Sequence, residues 1–314
     1  MTTSRRIGTS ELSVFPLALG GNVFGWTADE ATSFAVLDAY VAAGGDFLDT
    51  ADSYSAWIPG NEGGESETII GRWLKSRGNR DRIVVATKIG AHPQYKGLAP
   101  DNIRAAADAS LRRLDTDHID LYYTHFDDES VPVEDIIQAL DGLVRAGKVR
   151  HIAASNISAE RLRASLEFSD REGLAKYIAL QPQYSLVSRD TYEGGRSEVV
   201  AAHGLSAIPF WVLARGFLTG KYRPGVTVDS ARAGAAGEYL TTPRGPRVLE
   251  ALDKIAADRG AEIATVALAW VAAQPTVAVP IASARTVEQL PALLALPDLD
   301  LTPTELATLT AASS

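Results

Sequence analysis

Four polar residues stand where runs of apolar residues end. Asp49 closes FLD and is soon followed by Tyr54 in FLDTADSY, Lys88 closes IVVATK, and His125 closes IDLYYTH. VRHIAASN repeats the design with Ser155 and Asn156. Taken singly, each has an ordinary structural explanation: an ion pair bracing the fold, a satisfied core histidine, an aromatic packed in a loop. Together the four make one coherent chemistry. A tyrosine with an unperturbed pKa near 10 is a poor proton donor or acceptor at neutral pH, and an adjacent ammonium stabilises its phenolate and lowers that value. Lys88 could supply the ammonium, with Asp49 holding it charged and oriented. His125 could hydrogen-bond a carbonyl oxygen lying between it and the tyrosine hydroxyl. Such a site protonates an oxygen.

Reducing a carbonyl also needs a hydride, which no side chain supplies. Ser155, Asn156 and Gln181 could bind a carboxamide, and Phe210 could stack on a flat ring. A lysine at a strand end also admits Schiff-base chemistry, so an aldolase through Lys88 is a rival reading. A metal-dependent hydrolase is disfavoured, because His92, His118, His125, His151 and His203 include no His-x-His pair and do not cluster at strand ends; no metal site is expected. Two glycine signals also fail. GGNVFG (20–25) has Asn22 at the middle glycine of a dinucleotide fingerprint, and GFLTGKY (216–222) is too short for a phosphate-binding P-loop and lacks its Ser/Thr.

Residues this far apart in sequence meet only if their strands end on one edge. Candidate strands end at Gly20, Asp49, Lys88, His125, Ser155, Gln181, Phe210 and Pro280, the last in VAVP (277–280). The stretches between them read as helices. Thr27 and Glu30 have capping-box spacing before a helix with Phe34, Leu37 and Val41 on one face, stopped at Gly44 and Gly45. Further helices run through Ile69, Ile70, Trp73 and Leu74, and through Ile103, Ala107, Leu111 and Leu114. Another opens near Ser130 and Pro132, carries Ile136, Ile137, Leu140 and Val144, and ends at Gly147.

Regular β-then-α units imply right-handed parallel crossovers, and eight of them close an α/β (β/α)8 TIM barrel whose active site lies at the C-terminal edge of the strands. The chain reads as one domain, 1–314. Residues 5–16 read as a β-hairpin around a polar turn at Gly8 to Ser10, capping one end of the barrel. The long seventh interval holds an insertion (214–247) rich in Gly, Ala and Arg, a candidate flexible lid.

Composition sets the setting. The chain has 314 residues, 46% hydrophobic and 22% charged, enough for a large core. A net charge of −9 with no basic run disfavours a nucleic-acid surface. The absence of cysteine excludes disulfides and thiolate chemistry and fits a reducing compartment. No apolar run has the length of a signal peptide core or a membrane span, so a cytoplasmic protein without membrane partners is expected.

FLDTADSY, ATK, YYTHFDD, AASN, QPQYS and ARGFLTGKY, in this order, strongly resemble the aldo-keto reductases over residues 5 to 310 or so. The chain looks most like bacterial members with a long loop after the seventh strand, relatives of the potassium-channel beta subunits. The resemblance implies an NADPH-dependent reductase of aldehydes or ketones built on Asp49, Tyr54, Lys88 and His125. Tyr54 would be the general acid in reduction and the base in the reverse direction.

The same resemblance implies cofactor contacts from Gly21, Asn22, Asp49, Ser155, Asn156, Gln181 and Phe210, the last where the family usually places a tyrosine under the nicotinamide. It extends them to Trp211, Leu213, Ala214, Gly216, Lys221 and Arg223, and, around the 2′-phosphate, to Ser283, Arg285 and Gln289. Trp211 and Val212 replace the common Ser-Pro. Ala292 and Leu293 replace the Glu-Asn that many relatives carry for the adenine. Trp26, Trp57 and Phe126 could line an apolar mouth for a small carbonyl substrate, aromatic or medium aliphatic. The non-catalytic alternative is an NADP(H)-binding redox sensor or regulatory subunit with little turnover. Nothing in the sequence signals an oligomeric state.

Overall fold

Eight parallel strands form one sheet in the computed structural model, which describes residues 4–314. In chain order they are β1 (Ala18–Gly20), β2 (Phe47–Asp49), β3 (Val84–Ile89), β4 (Ile119–Thr124), β5 (Val149–Ser155), β6 (Tyr177–Gln181), β7 (Ser206–Ala207) and β8 (Ile281–Ala282). Each of the first six pairs with the next, and β8 lies beside β1. The ring closes between β7 and β8: Ala207 bridges Val277, and the Ile281 N–H donates to the Pro209 carbonyl at 2.9 Å. This is the expected (β/α)8 barrel.

The eighth strand sits beyond the VAVP stretch. Pro280 has no N–H to give a ladder, so its carbonyl accepts from Ala18 and the regular pairing with β1 begins at Ile281. Val277 and Ala278 serve β7 instead.

Side-chain alternation along the strands decides what faces the barrel interior. Phe47, Ala86, Tyr123 and Ala153 belong to the inner apolar cluster, while Leu48, Tyr122 and Ala154 join the larger core between sheet and helices. Two residues further on, the inward positions are Asp49, Lys88, His125 and Ser155. The hairpin of Arg5–Arg6 and Ser13–Val14 contributes Ile7, Leu12 and Val14 to the inner cluster, so it plugs the N-terminal end of the barrel. The opposite end is left for the polar groups.

Helices α1 (Glu30–Ala42), α2 (Glu65–Arg77), α3 (Pro100–Leu114), α4 (Val133–Arg145), α5 (Ala159–Glu172) and α6 (Gly195–Ala202) follow β1 to β6. The cap of α1 is Asp29, whose carboxylate accepts from the Thr32 N–H at 2.8 Å; Thr27 is not the cap. The buried stripe is correspondingly Ser33, Val36, Leu37 and Tyr40, with Phe34 and Val41 at its margin. Ser130 likewise does not cap α4: its hydroxyl is taken by Asp128, and Pro132 precedes the first turn. The segment after β3 is not a plain loop, since Ala91–His92 pairs antiparallel with Tyr95–Lys96.

The insertion after β7 is more regular than its composition implies. A 3-10 turn at Ala214–Thr219, α7 (Ala233–Gly237) and a second 3-10 turn at Glu238–Thr241 are anchored by buried Phe217, Leu218 and Ala236. Helices α8 (Arg244–Arg259) and α9 (Ile263–Ala272) then lead to β8, and α10 (Leu290–Leu294) and α11 (Pro303–Ala312) complete the chain. Among the described residues no helix is long and apolar enough to cross a membrane.

Candidate active site

The inward strand ends converge on Lys88. Its ammonium donates to Asp49 Oδ2 at 2.6 Å, to the Thr50 carbonyl at 2.7 Å and to Tyr54 Oη at 3.3 Å. Asp49 is itself held from the other side, because Gln181 donates its amide to Oδ1 at 2.8 Å. Lys88 is fully buried and Asp49 nearly so. An ion pair taken this far from water survives only when its remaining hydrogen bonds are made, as they are here. The Tyr54 ring lies edge-on to His125 with centroids 5.9 Å apart, so the two side chains share one wall. His125 in turn stacks on Phe126.

The electrostatics separate the roles these groups can play. Burial alone would discharge Lys88, but the Asp49 carboxylate and the Tyr54 phenol outweigh it and its pKa rises. Burial lifts the Tyr54 phenol, and Lys88 offsets only part of that, so the net shift is upward. Lys88 by itself would lower the phenol's pKa, the direction expected from the sequence, and burial reverses that sign. Tyr54 therefore holds its proton at neutral pH. Burial, followed by the charge of Lys88, pushes His125 well below the usual imidazole range, so the ring is neutral. Its Nδ1 has no hydrogen-bond partner among the described residues.

Tyr54 and Asp49 open on a cavity of about 360 Å3. Gly20, Asn22 and Val23 form the wall at the end of β1; Phe210, Trp211 and Leu213 form another. Ser283, Arg285 and Gln289 stand at the far end, beside Ala292 and Leu293. Here Ser283 donates to the Asn22 side chain at 2.7 Å, and Gln289 accepts from the Arg285 N–H at 2.9 Å. The space depends on bare backbone: a Cβ on Gly20 would sit 2.6 Å from Ser283 Oγ.

The other expected cofactor residues fall less evenly. Ser155 donates to the Gln181 carbonyl, and Asn156, with φ of 49°, donates its amide to the His125 carbonyl and to Ser155. These three brace the strand ends next to the tetrad and do not line the cavity. Gly21 lies behind the wall with its N–H on the Asp49 carbonyl at 2.7 Å, so of this adjacent pair Gly20 is the one that meets the cavity. Ala214 is buried beneath the lining residues Leu213, Arg215 and Gly216. Lys221 reaches the cavity, but Arg223 faces away and forms a two-point pair with Asp253 at 2.6 and 2.8 Å. Of the aromatic mouth, Trp26 lines the cavity. Trp57 bridges Trp26 and Tyr54 edge-on, and Trp57 and Phe126 are about half exposed.

Two cavity cations were not singled out from the sequence: Arg215, which lies inside the segment Leu213 to Lys221 that resembles the family's pyrophosphate cover, and Arg232. Arg215 lies 4.0 Å over the Trp211 ring, and Arg232 lies 5.1 Å over Trp26. Neither has a carboxylate partner among the described residues. Burial and then the like charges of Arg285 and Arg215 lower the pKa of Arg232. Four cations, Arg215, Lys221, Arg232 and Arg285, thus face one cavity with Glu262 as the acidic group besides Asp49. A site of that charge fits a ligand carrying several phosphates. The signal available in sequence was the excess of Arg in an insertion otherwise poor in charge.

The aldo/keto reductase family profile matches residues 16–314. Among curated proteins, Protein tas of Escherichia coli is 33% identical over 312 residues, covering 91% of this chain and 90% of its own. The uncharacterized oxidoreductase YrpG of Bacillus subtilis is 33% identical over 296 residues, covering 90% and 87%. The aryl-alcohol dehydrogenase [NADP(+)] of Phanerodontia chrysosporium is 30% identical over 321 residues, covering 94% and 81%. Fold and relatives together define an oxidoreductase on a (β/α)8 barrel. The chain belongs to the aldo/keto reductase family.

Proposed function

We propose that this protein is an NADPH-dependent carbonyl reductase that converts an aldehyde or ketone to its alcohol, with Tyr54 as proton donor. The observation that carries the reading is the Tyr54 hydroxyl, 3.3 Å from a Lys88 ammonium that is locked to Asp49, on the wall of a cationic cavity. Bound in that cavity, NADPH would supply the hydride that side chains lack.

The residues present suit that cofactor. Lys221, Arg215, Arg232 and Arg285 would hold its phosphates, with Ser283 and Gln289 beside Arg285 at the 2′-phosphate. Ser155, Asn156 and Gln181 would hold the carboxamide, and Phe210 would stack on the ring. Arg223 is left out of this set because Asp253 occupies it.

The tetrad then works as a proton donor that is loaded at rest. Tyr54, with its pKa raised, carries its proton at neutral pH and gives it to the substrate oxygen as negative charge develops there. Lys88 stabilises the phenolate left behind, and Asp49 keeps Lys88 charged and in place. Neutral His125 would hydrogen-bond the same oxygen. A Schiff-base aldolase is the weaker reading, because it needs a neutral lysine and Lys88 is held as an ammonium by three acceptors.

Exposed Trp57 and Phe126 favour aromatic carbonyl compounds, in line with the aryl substrate in the name of one relative. The acidic, cysteine-free composition favours the cytoplasm as the setting. The test is NADPH titration by fluorescence followed by 4-nitrobenzaldehyde in the same cuvette. Binding with oxidation supports the reductase, and the proposed mechanism fails if Tyr54→Phe retains the wild-type rate. Binding without oxidation across a broad aldehyde panel favours the sensor.

A further inference from the structure

Between Asp49 and Tyr54 the chain buries a carboxyl group that the mechanism does not use. Asp52 is fully enclosed, and its carboxyl makes no well-aligned hydrogen bond among the described residues, the Gly90 and Ser53 N–H groups reaching it only weakly. Beside it lies a second buried carboxylate, Glu67 of α2, which spends one oxygen on the Thr87 hydroxyl and the other on Arg113 of α3 at 2.6 Å. One arginine balances one carboxylate, so the cluster has no charge left for Asp52. Two buried carboxylates cannot both ionise against a single cation without large cost, and Asp52 is the one that keeps a proton.

The position of Asp52 makes that proton matter to the site. Its N–H donates to the Lys88 carbonyl at 3.1 Å, tying the loop to β3. Downstream, the Tyr54 carbonyl accepts from the N–H groups of Gly64 and Ser66 at the start of α2. The segment that presents Tyr54 is thus pinned at Asp52 and again at Tyr54, and the Asp52 carboxyl lies close enough to Glu67 of α2 to feel its charge. The titratable and charged groups facing it are Glu67 from α2, Arg113 from α3, Tyr122 from β4 and Tyr54 on its own loop. His92, from the ribbon after β3, meets the Asp52 backbone across Gly63.

We propose that Asp52 is a positioning residue for Tyr54: protonated, it lets the loop seat against Glu67, and its ionisation unseats the loop and the tyrosine hydroxyl with it. The proposal rests on the reductase reading of the same site. Burial, and after it the Glu67 charge, pushes Asp52 up to about 8, with Arg113 and the Gly90 and Ser53 N–H groups offsetting this only in part. Tyr54 and Lys88 are both shifted above their ordinary values and His125 below its own. Those directions carry the tetrad away from pH 8, and it is the comparison with Asp52→Asn that assigns a break found there.

The test compares wild type with Asp52→Asn, which mimics the protonated carboxyl, and with Glu67→Gln, which frees Arg113 for Asp52. Turnover of 4-nitrobenzaldehyde with NADPH is followed from pH 6.5 to 9.5. Wild-type kcat should fall about tenfold per pH unit above a break near 8, with NADPH affinity unchanged, as for loss of one essential proton. Asp52→Asn should match wild type at pH 7 and stay level to pH 9.5, while Glu67→Gln should move the break to lower pH. Superimposable profiles, or an Asp52→Asn variant inactive at pH 7, overturn the proposal. If wild type itself turns over no carbonyl compound, the reductase reading has failed separately. The loop movement is then judged by the fluorescence of Trp57, which packs on Tyr54, isolated by its loss in Trp57→Phe. It must change near pH 8 in wild type and not in Asp52→Asn, and a flat response in both overturns the proposal.

Discussion

Replacing Asp49 by asparagine separates what the buried ion pair does for the fold from what it does for the chemistry. The pair is 2.6 Å apart with 0% and 4% side-chain exposure, so solvent screens it little. At that separation and an effective dielectric of about 20 the attraction is about 6 kcal/mol. The Asp49→Asn amide keeps the shape but leaves Lys88 buried without its counter-charge, a change that costs about 3–5 kcal/mol in comparable buried pairs. That is a large share of the roughly 5–15 kcal/mol by which a domain is stable. A second substitution, Lys88→Met, removes the stranded charge and should return most of the loss, because well-packed apolar groups replace buried ion pairs at little cost. Turnover should not return with it, since nothing then stabilises the Tyr54 phenolate. Urea denaturation at pH 7 measures the stabilities, and NADPH oxidation with 4-nitrobenzaldehyde measures the activities. The reasoning is refuted if Asp49→Asn unfolds within about 1 kcal/mol of wild type, or if the double variant is no more stable than the single one.

Tyr54→Phe should lower turnover by about 10²–10⁴-fold while NADPH binding and melting temperature stay near wild type, because the lost hydroxyl makes only one long bond to Lys88; isothermal titration with the inactive variant checks the first part. Arg285→Ala should weaken NADPH by about 1.5–3 kcal/mol, the value of a charge-assisted hydrogen bond, and leave NADH nearly unchanged; equal losses for the two cofactors would remove Arg285 from the 2′-phosphate. Since the pKa of His125 lies well below the imidazole value, kcat should show no break between pH 6 and 7; a break there would mean that the imidazolium is the working form. Trp57→Ala should raise KM for aromatic aldehydes more than for propanal, and an equal effect on both would place the substrate elsewhere.

Much of the fold was legible because the barrel repeats one short pattern. Strand ends at Gly20, Asp49, Ser155 and Gln181 fall where the apolar runs stop, and the inward positions follow from alternation alone. Elements set by local competition were less legible. Asp29 takes the cap of α1 although Thr27 and Glu30 have the spacing of a capping box, because the cap depends on where the chain turns away from β1. Val277 to Pro280 look like a strand by composition, yet a missing N–H at Pro280 shifts regular pairing with β1 to Ile281. The helical turns of 214–247 have too little periodicity to show in sequence and are held by Phe217 and Ala236 against the core.

The chemical types at the site were likewise in the sequence: an acid, a lysine, a tyrosine and a histidine, each at or just after the end of an apolar run, in an order that resembles one family. Their electrical state was not. The sign of the Tyr54 shift depends on how much burial opposes Lys88. The exclusion of Arg223 depends on Asp253, which comes from α8, and the inclusion of Arg232 on a fold-back of the insertion over Trp26. The proton on Asp52 depends on Glu67 and Arg113, brought together from two helices. Local sequence determines which groups exist and which way a strand points them. Charge and pKa are set by neighbours distant in the chain and by the water that packing removes, so they were decided only when the barrel closed.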